Sequence, residues 1–154
     1  MAAVSLFGLL CALCAILAVI DIRDGIIPDW LNLAIAALGF VDIAVTRDLT
    51  ASLRALGEGL LIGAMFWLLR RLYFAFRNVQ GLGLGDVKFL GAAGIWVGIA
   101  GLPLLVVVAT LTALARAGIA RLAGQSLTAQ TSLPFGPFLA AGLVLASGLQ
   151  RFWF

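Results

Sequence analysis

Two aspartates stand out because each lies where a long apolar stretch meets a polar segment. Asp21 follows the uncharged stretch 2–20, and Asp86 directly follows the glycine-rich run 81–85. The chain contains no histidine. This excludes the Ser-His and Cys-His nucleophile systems, so carboxylates are the leading candidates for acid–base chemistry.

A pair of carboxylates has a defined chemistry when the fold brings them together. Two carboxyl groups within a few ångströms cannot both ionise easily, so they share a proton. One can then act as base toward a water molecule while the other acts as acid toward a scissile carbonyl. Asp21 and Asp86 are predicted to form such a dyad.

The glycines before Asp86 fit this prediction. Gly83 and Gly85 permit close approach of a second backbone, such as an extended peptide beside Asp86, and a carboxylate in the first turn of a helix is favoured by the helix dipole. The run is not a phosphate-binding P-loop, because the Lys-Ser/Thr ending is absent. The alternative is an ordinary glycine turn that precedes a helix.

The composition shows where these residues must be held. The chain has 154 residues, of which 64% are hydrophobic and 11% charged, whereas soluble domains are about 45–50% apolar and about 25% charged. An integral membrane protein is therefore predicted. Six spans of about 20 residues each would use roughly 120 residues, so we expect a single domain over residues 1–154.

The apolar stretches predict an all-α protein with six transmembrane helices. A turn at 101–103 is predicted to separate the fourth helix from the fifth, and a single kinked span is the alternative. The first stretch lacks a positively charged start and a small-residue cleavage site, so we expect a retained helix and not a signal peptide. The predicted spans are 2–20, 30–46, 51–69, 86–100, 102–119 and 133–149.

The basic residues predict the orientation of these spans. The connections after spans one, three and five carry seven of them (Arg23, Arg70, Arg71, Arg77, Lys88, Arg116 and Arg121), and the opposite side carries three (Arg47, Arg54 and Arg151). Because basic residues favour the cytoplasmic side, both termini are predicted outside the cytoplasm, with Asp21 and Gly83 facing it from the inner membrane. The net charge of +3 fits this pattern and predicts no nucleic-acid partner.

Other polar residues have simpler interpretations. Arg54 and Glu58 are spaced i, i+4, which predicts mutual neutralisation. Cys11 and Cys14 lie in an apolar run and are assigned to helix packing, and neither a metal nor a cofactor is predicted.

Two basic residues lie beside the candidate dyad. Arg23 and Lys88 are candidate supporting residues. Each could instead satisfy the orientation rule or pair with a neighbouring carboxylate.

Taken together, these segments resemble the type IV prepilin peptidases, membrane aspartyl proteases with a Gly-x-Gly-Asp motif. Asp21-Ile22-Arg23 with Ile27-Pro28-Asp29 resembles the first family motif, and Gly83-Leu84-Gly85-Asp86-Val87-Lys88 resembles the second. Leu133-Pro134-Phe135-Gly136-Pro137 is similar to the entry of the last helix. The resemblance extends over nearly the whole chain.

The resemblance implies that Asp21 and Asp86 are the catalytic pair. Gly83, Gly85, Lys88 and Arg23 are the candidate supporting-loop residues around this pair. It also implies cleavage of the short basic leader of prepilin-like or pseudopilin-like proteins at the cytoplasmic membrane face. Larger members carry an additional cytoplasmic segment and methylate the new N-terminus. With about 20 residues before Asp21, this chain resembles the compact Tad/Flp-type or archaeal preflagellin peptidases, so methyl transfer is not expected.

Two other classes of function are considered. A small transporter or proton-conducting protein would use Asp21, Glu58 and Asp86 as relays inside the membrane. The predicted position of both aspartates at one face argues against it. A structural assembly subunit would tolerate asparagine at both aspartates.

Overall fold

The computed structural model describes residues 2–77, 82–123 and 134–153, and the regular secondary structure in these ranges is helical. The helices are α1 (Ala2–Asp24), α2 (Asp29–Thr46), α3 (Leu49–Arg77), α4 (Leu84–Leu122) and α5 (Gly136–Trp153). Gly81 of the glycine-rich run and Leu133 of the predicted sixth span lie outside the described residues. The predicted all-α fold is confirmed for the described part of the chain.

The helices have the length and surface of membrane-spanning segments. Among the described residues, four stretches are long and apolar enough to cross a bilayer, namely Ser5–Asp24, Asp29–Thr46, Leu49–Arg77 and Leu84–Leu122. Large apolar side chains face outward, with Leu33, Leu60 and Leu114 each about 70% exposed. A surface of this kind is stable in lipid, where helices satisfy their own backbone hydrogen bonds, so the chain is a membrane protein.

The longest helix, α4, contains a break. A straight helix of 39 residues would be about 58 Å long, roughly twice the hydrocarbon thickness of a bilayer. Gly98 interrupts it with φ 64° and ψ −177°, a conformation open to glycine and strained for other residues. The predicted turn at 101–103 is therefore misplaced, because the backbone changes direction at Gly98 and Pro103 lies inside the second part of the helix.

The chain reverses direction at this break. Before it, Gly91 packs against Gly63 and Gly94 against Gly59, so the first part of α4 runs antiparallel to α3. After it, Gly101 packs against Gln150. Gly142 lies against Leu105 and Ala109, so the second part of α4 runs antiparallel to α5.

The other helices surround a shared apolar core. Both α1 and α4 pack against α2 and α5, while among the described residues no Cα atom of α1 lies within 8 Å of a Cα atom of α4. Side chains from all four of these helices fill the space between α1 and α4, including the fully buried Leu17, Leu31, Phe89 and Leu143.

The two ends of the bundle are marked by different polar contacts. At one end, called the Asp21 end, Asp21 meets Gly136. At the other, called the Arg151 end, the Arg151 guanidinium lies 2.8 Å from the Asp42 carboxylate. Phe7 packs near Gly148 at the Arg151 end, so α1 and α5 are antiparallel neighbours.

Polar side chains satisfy the backbone groups that the break in α4 leaves without helical partners. The Ile99 N–H donates to Glu58 Oε2 at 2.8 Å, and Gln150 Nε2 donates to the Val97 carbonyl at 3.1 Å. The predicted Arg54–Glu58 pair is wrong, because the structure has no ion pair between these two described residues. Unsatisfied backbone groups are costly at membrane depth, and the Glu58 carboxylate bonds to the exposed N–H of the new helix start instead.

This contact predicts the effect of changing Glu58. Glu58→Leu should lower the free energy of unfolding by about 1–3 kcal/mol, because the Ile99 N–H loses its acceptor. Glu58→Gln keeps an acceptor oxygen and should cost less. Denaturant unfolding in detergent micelles measures both.

Arg54→Leu is the matched control, since it removes the predicted partner of Glu58 and leaves the cap in place. It should change stability by less than about 0.5 kcal/mol. A loss equal to that of Glu58→Leu would contradict the cap and favour the Arg54–Glu58 pair.

Candidate active site

Asp21 lies in the last turns of α1 and is buried, with 5% of its surface exposed. Its Oδ2 accepts the backbone N–H of Gly136 at 2.8 Å, which joins the end of α1 to the first residue of α5. A Cβ atom at Gly136 would lie 2.7 Å from that oxygen and 2.9 Å from Cγ. The absence of a side chain at position 136 therefore lets the backbone approach the carboxylate.

The connector after Asp21 is shaped by a glycine and a proline. Gly25 takes φ 66°, and its N–H donates to the Asp21 carbonyl at 2.9 Å, which ends α1. Pro28 then precedes α2 in an extended conformation, and its carbonyl accepts the N–H of Leu31. Asp29 is the first residue of α2. It therefore follows Asp21 closely in the sequence but lies on the next helix.

Asp86 lies in the first turn of α4. Gly83 is the N-cap residue of this helix and has an extended backbone. The carboxyl group is half-buried and accepts a hydrogen bond from the Gly83 backbone. Asp86 also interacts electrostatically with Asp21. Since α1 and α4 do not pack directly, the two carboxyl groups come from separate helices at the Asp21 end.

Three contacts hold the segments around Asp21 and Asp86. Gly85 approaches Ile27 so closely that a Cβ atom at position 85 would lie 3.0 Å from the Ile27 Cβ. Lys88 Nζ lies 2.7 Å from both carboxylate oxygens of Asp29. Arg70 Nε, near the end of α3, donates to the Leu82 carbonyl at 2.9 Å. These contacts connect α2, α3 and the loop before Asp86.

The candidate supporting residues therefore take different positions. Lys88 pairs with Asp29, and this pair is exposed, so it orients the rim of the site and contributes little to stability. Gly83, the N-cap of α4, lies against Asp86, and Gly85, in the first turn of α4, lies against Ile27. Arg23 is exposed and makes no hydrogen bond or ion pair with the described residues, so the structure does not bring it into the group.

The sequence alone does not indicate that Gly136 and Arg70 hold the site. Gly136 belongs to the Pro134-Phe135-Gly136-Pro137 segment, but its contact with Asp21 joins residues 115 positions apart. In the sequence, Arg70 contributes only to the distribution of basic residues that predicts orientation. The bond from Arg70 to Leu82 depends on how α3 packs on α4, which residue spacing does not show.

Nothing in the described ranges 2–77, 82–123 and 134–153 assembles a metal centre, since no three His, Cys, Asp or Glu residues there form a suitable group. Cys14 is buried and Cys11 half-buried within α1, and neither is in a disulfide. Two neighbouring carboxyl groups such as Asp21 and Asp86 are suited to acid–base chemistry.

Comparison with known proteins provides independent evidence of the family. The family model described as "Type IV leader peptidase family" matches residues 8–118. No solved structure of another protein matches the chain.

Several curated proteins named "Prepilin leader peptidase/N-methyltransferase" are similar to it. The protein of Burkholderia pseudomallei is 40% identical over 143 residues, covering 92% of this chain and 45% of its own length. That of Pectobacterium carotovorum is 37% identical, covering 89% and 48%, and that of Escherichia coli K12 is 32% identical, covering 86% and 57%. The chain thus spans about half the length of the relatives it matches.

The contact between Asp21 and Gly136 predicts a non-additive pair of substitutions. Gly136→Ala should lower the free energy of unfolding by about 1–3 kcal/mol, because the new methyl group must displace the buried carboxylate. In an Asp21→Ala background the same change should cost much less, since the obstructing oxygen is gone. Unfolding in detergent of the two single variants and the double variant measures the difference.

Gly118→Ala is the matched control, because a Cβ atom there meets nothing within 4 Å. It should leave stability unchanged or raise it by up to about 1 kcal/mol. An equal cost of Gly136→Ala with and without the Asp21 carboxylate would show that the close contact does not exist.

Proposed function

Because the chain belongs to the type IV leader peptidase family, we propose that it is a membrane aspartic endopeptidase that removes the leader peptide of prepilin-like or pseudopilin-like proteins. The observation that supports this most strongly is the electrostatic interaction between the buried Asp21 and the half-buried Asp86, at the end of α1 and the start of α4. The proposal covers only the leader-peptidase part of the relatives' names, because acid–base chemistry is what these two residues supply.

The proposed mechanism uses the pair as a unit. The scissile peptide approaches Asp21 and Asp86, with a water molecule between the carboxyl groups. One carboxylate takes a proton from the water while the other carboxyl group protonates the peptide carbonyl oxygen, giving a tetrahedral intermediate. Proton transfer to the departing amine then breaks the C–N bond.

The surrounding contacts have defined roles in this mechanism. The Gly136 N–H orients Asp21, and the Gly83 backbone orients Asp86. The close packing of Ile27 on Gly85 holds the connector before α2 against the first turn of α4, beside Asp86.

The proposal includes a complete topology. Residues 1–154 form a single six-span domain in the inner membrane. Both termini lie outside the cytoplasm, and the Asp21 end faces the cytoplasm. The break at Gly98 supports the six spans, since it divides α4 into two antiparallel parts. Basic residues such as Arg70 and Lys88, which lie at the Asp21 end, support the orientation.

The proton-conducting alternative is not favoured. It needs carboxylates spaced through the bilayer, whereas Glu58 lies at the Arg151 end and accepts the Ile99 N–H. Such a bond stabilises the helix start after Gly98 and leaves Asp21 and Asp86 as a separate group at the other end.

Asparagine substitutions test the proposed dyad. Asp21→Asn and Asp86→Asn should each reduce the cleavage rate of a co-expressed prepilin by about 10²–10⁴-fold, because asparagine keeps the size but cannot exchange a proton. The rate is measured in membranes by the change in substrate mobility, with enzyme levels followed by immunoblotting.

Asp24→Asn is the matched control, since Asp24 is on the same helix as Asp21 and is exposed. It should cleave at the wild-type rate. Full activity in either dyad variant, at normal enzyme level, would remove that residue from the mechanism.

Cysteine labelling in whole cells tests the orientation. In a background with Cys11 and Cys14 replaced by alanine, a membrane-impermeant thiol reagent should label Thr50→Cys from outside and leave Arg23→Cys unlabelled until the cells are opened. The two positions are exposed at opposite ends of the bundle. The reverse pattern would invert the proposed topology.

A further inference from the structure

A cavity of about 1010 Å³ opens at the Arg151 end, far along the bundle from the proposed dyad. It lies between the end of α2, the start of α3, the break in α4 and the end of α5. Residues from all four elements line it, including Arg47, Arg54, Trp96 and Ser147. The peptidase mechanism uses none of them.

Several polar side chains that line the cavity already have hydrogen-bond partners. Glu58 and Gln150 bond to the backbone on either side of Gly98, and Asp42 is bonded by Arg151 through both carboxylate oxygens. None of these groups requires a ligand, because each has a hydrogen-bond partner within the bundle.

Other groups in the lining lack such partners. The Ser147 Oγ is buried, with 7% of the residue exposed, and has no hydrogen-bond partner in the described part of the chain. The Arg47 and Arg54 guanidinium groups are exposed at the rim and form no hydrogen bond or close ion pair with described residues, and Arg54 attracts the Asp48 carboxylate only at longer range. Guanidinium groups favour phosphate oxygens, which they bind with paired N–H donors.

A carboxylate lies beside these two arginines. Asp48 also lines the cavity, and it accepts the N–H of Ala51 at 2.6 Å and the hydroxyl of Thr50 at 2.7 Å. The bond from Ala51 is the main cause that holds the pKa of Asp48 below its usual value. Asp48 is therefore ionised at neutral pH, and the rim offers positive and negative groups side by side.

The neighbouring surface is apolar. Leu49 and Leu53, on the same turns of α3 as Thr50 and Arg54, are 60% and 55% exposed. A ligand with a charged head at the rim would thus have its apolar portion against exposed leucines, as a membrane lipid does.

We propose that this cavity binds the headgroup of a zwitterionic glycerophospholipid, with Arg47 and Arg54 on the phosphodiester and Asp48 on the ammonium group. Ser147 donates a hydrogen bond to a headgroup oxygen that enters the cavity. The site is separate from the dyad, so its occupancy does not depend on the peptidase reaction.

Lipid retention measured by native mass spectrometry tests this site. The full chain in detergent is mixed with equal amounts of phosphatidylethanolamine and phosphatidylglycerol. Wild type should retain phosphatidylethanolamine several-fold more than phosphatidylglycerol. Arg47→Gln with Arg54→Gln should reduce that retention about tenfold or more.

Two further variants sharpen the result. Arg116→Gln with Arg121→Gln is the matched control, because it removes two exposed arginines from the second part of α4 and should retain lipid as wild type does. Asp48→Asn keeps a helix-capping side chain and should abolish the preference for phosphatidylethanolamine while leaving the protein folded.

Three results would overturn the proposal. Equal or greater retention of phosphatidylglycerol by wild type would contradict a zwitterionic headgroup. Equal loss in the two double-arginine variants would show a general charge effect. Displacement of the lipid by millimolar inorganic phosphate or glycerophosphoethanolamine would assign the cavity to a soluble phosphate compound.

Discussion

The hydrogen bond from the Gly136 backbone to the Asp21 carboxylate joins the first and last helices of the bundle. A buried carboxyl group at the end of an apolar helix is costly unless it is hydrogen-bonded, and here the N-terminus of α5 supplies the donor at 2.8 Å. The contact requires glycine at position 136, since a Cβ atom would overlap the carboxylate. Because α5 also packs against α4, the same contact sets the position of Asp21 relative to Asp86.

The need to satisfy polar groups explains the opposite end as well. Gly98 breaks α4 and exposes an N–H and a carbonyl group, and Glu58 and Gln150 bond to them from α3 and α5. This break is what allows a 39-residue helix to fold back within the thickness of a bilayer. It also leaves polar side chains around a cavity, so one backbone feature accounts for both the topology and the proposed lipid site.

Features that depend on local sequence could be predicted. The composition indicated a helical membrane protein, and Pro28 and Gly83 lie where α2 and α4 begin. Asp21 and Asp86 could be chosen because charged residues are rare here and these two lie at helix ends.

Features that depend on packing could not be predicted from the residues alone. Gly98 is one of 18 glycines, and only the backbone conformation shows that it breaks the helix. The local pattern places the turn at 101–103 instead, around Gly101 and Pro103. The i, i+4 spacing of Arg54 and Glu58 indicated an ion pair, yet Glu58 bonds to a helix start 41 residues away. For Glu58, a contact between distant residues replaces the one that the local pattern indicates.

The central claim is that the Asp21 and Asp86 carboxyl groups interact as a pair. Infrared difference spectroscopy of the protein titrated in detergent measures this directly, because only seven acidic residues contribute carboxyl bands. We expect the Asp21→Asn variant to change the pH midpoint at which Asp86 titrates, and the Asp86→Asn variant to change that of Asp21. Midpoints unchanged by loss of the partner would show that the two groups are independent and would contradict the dyad.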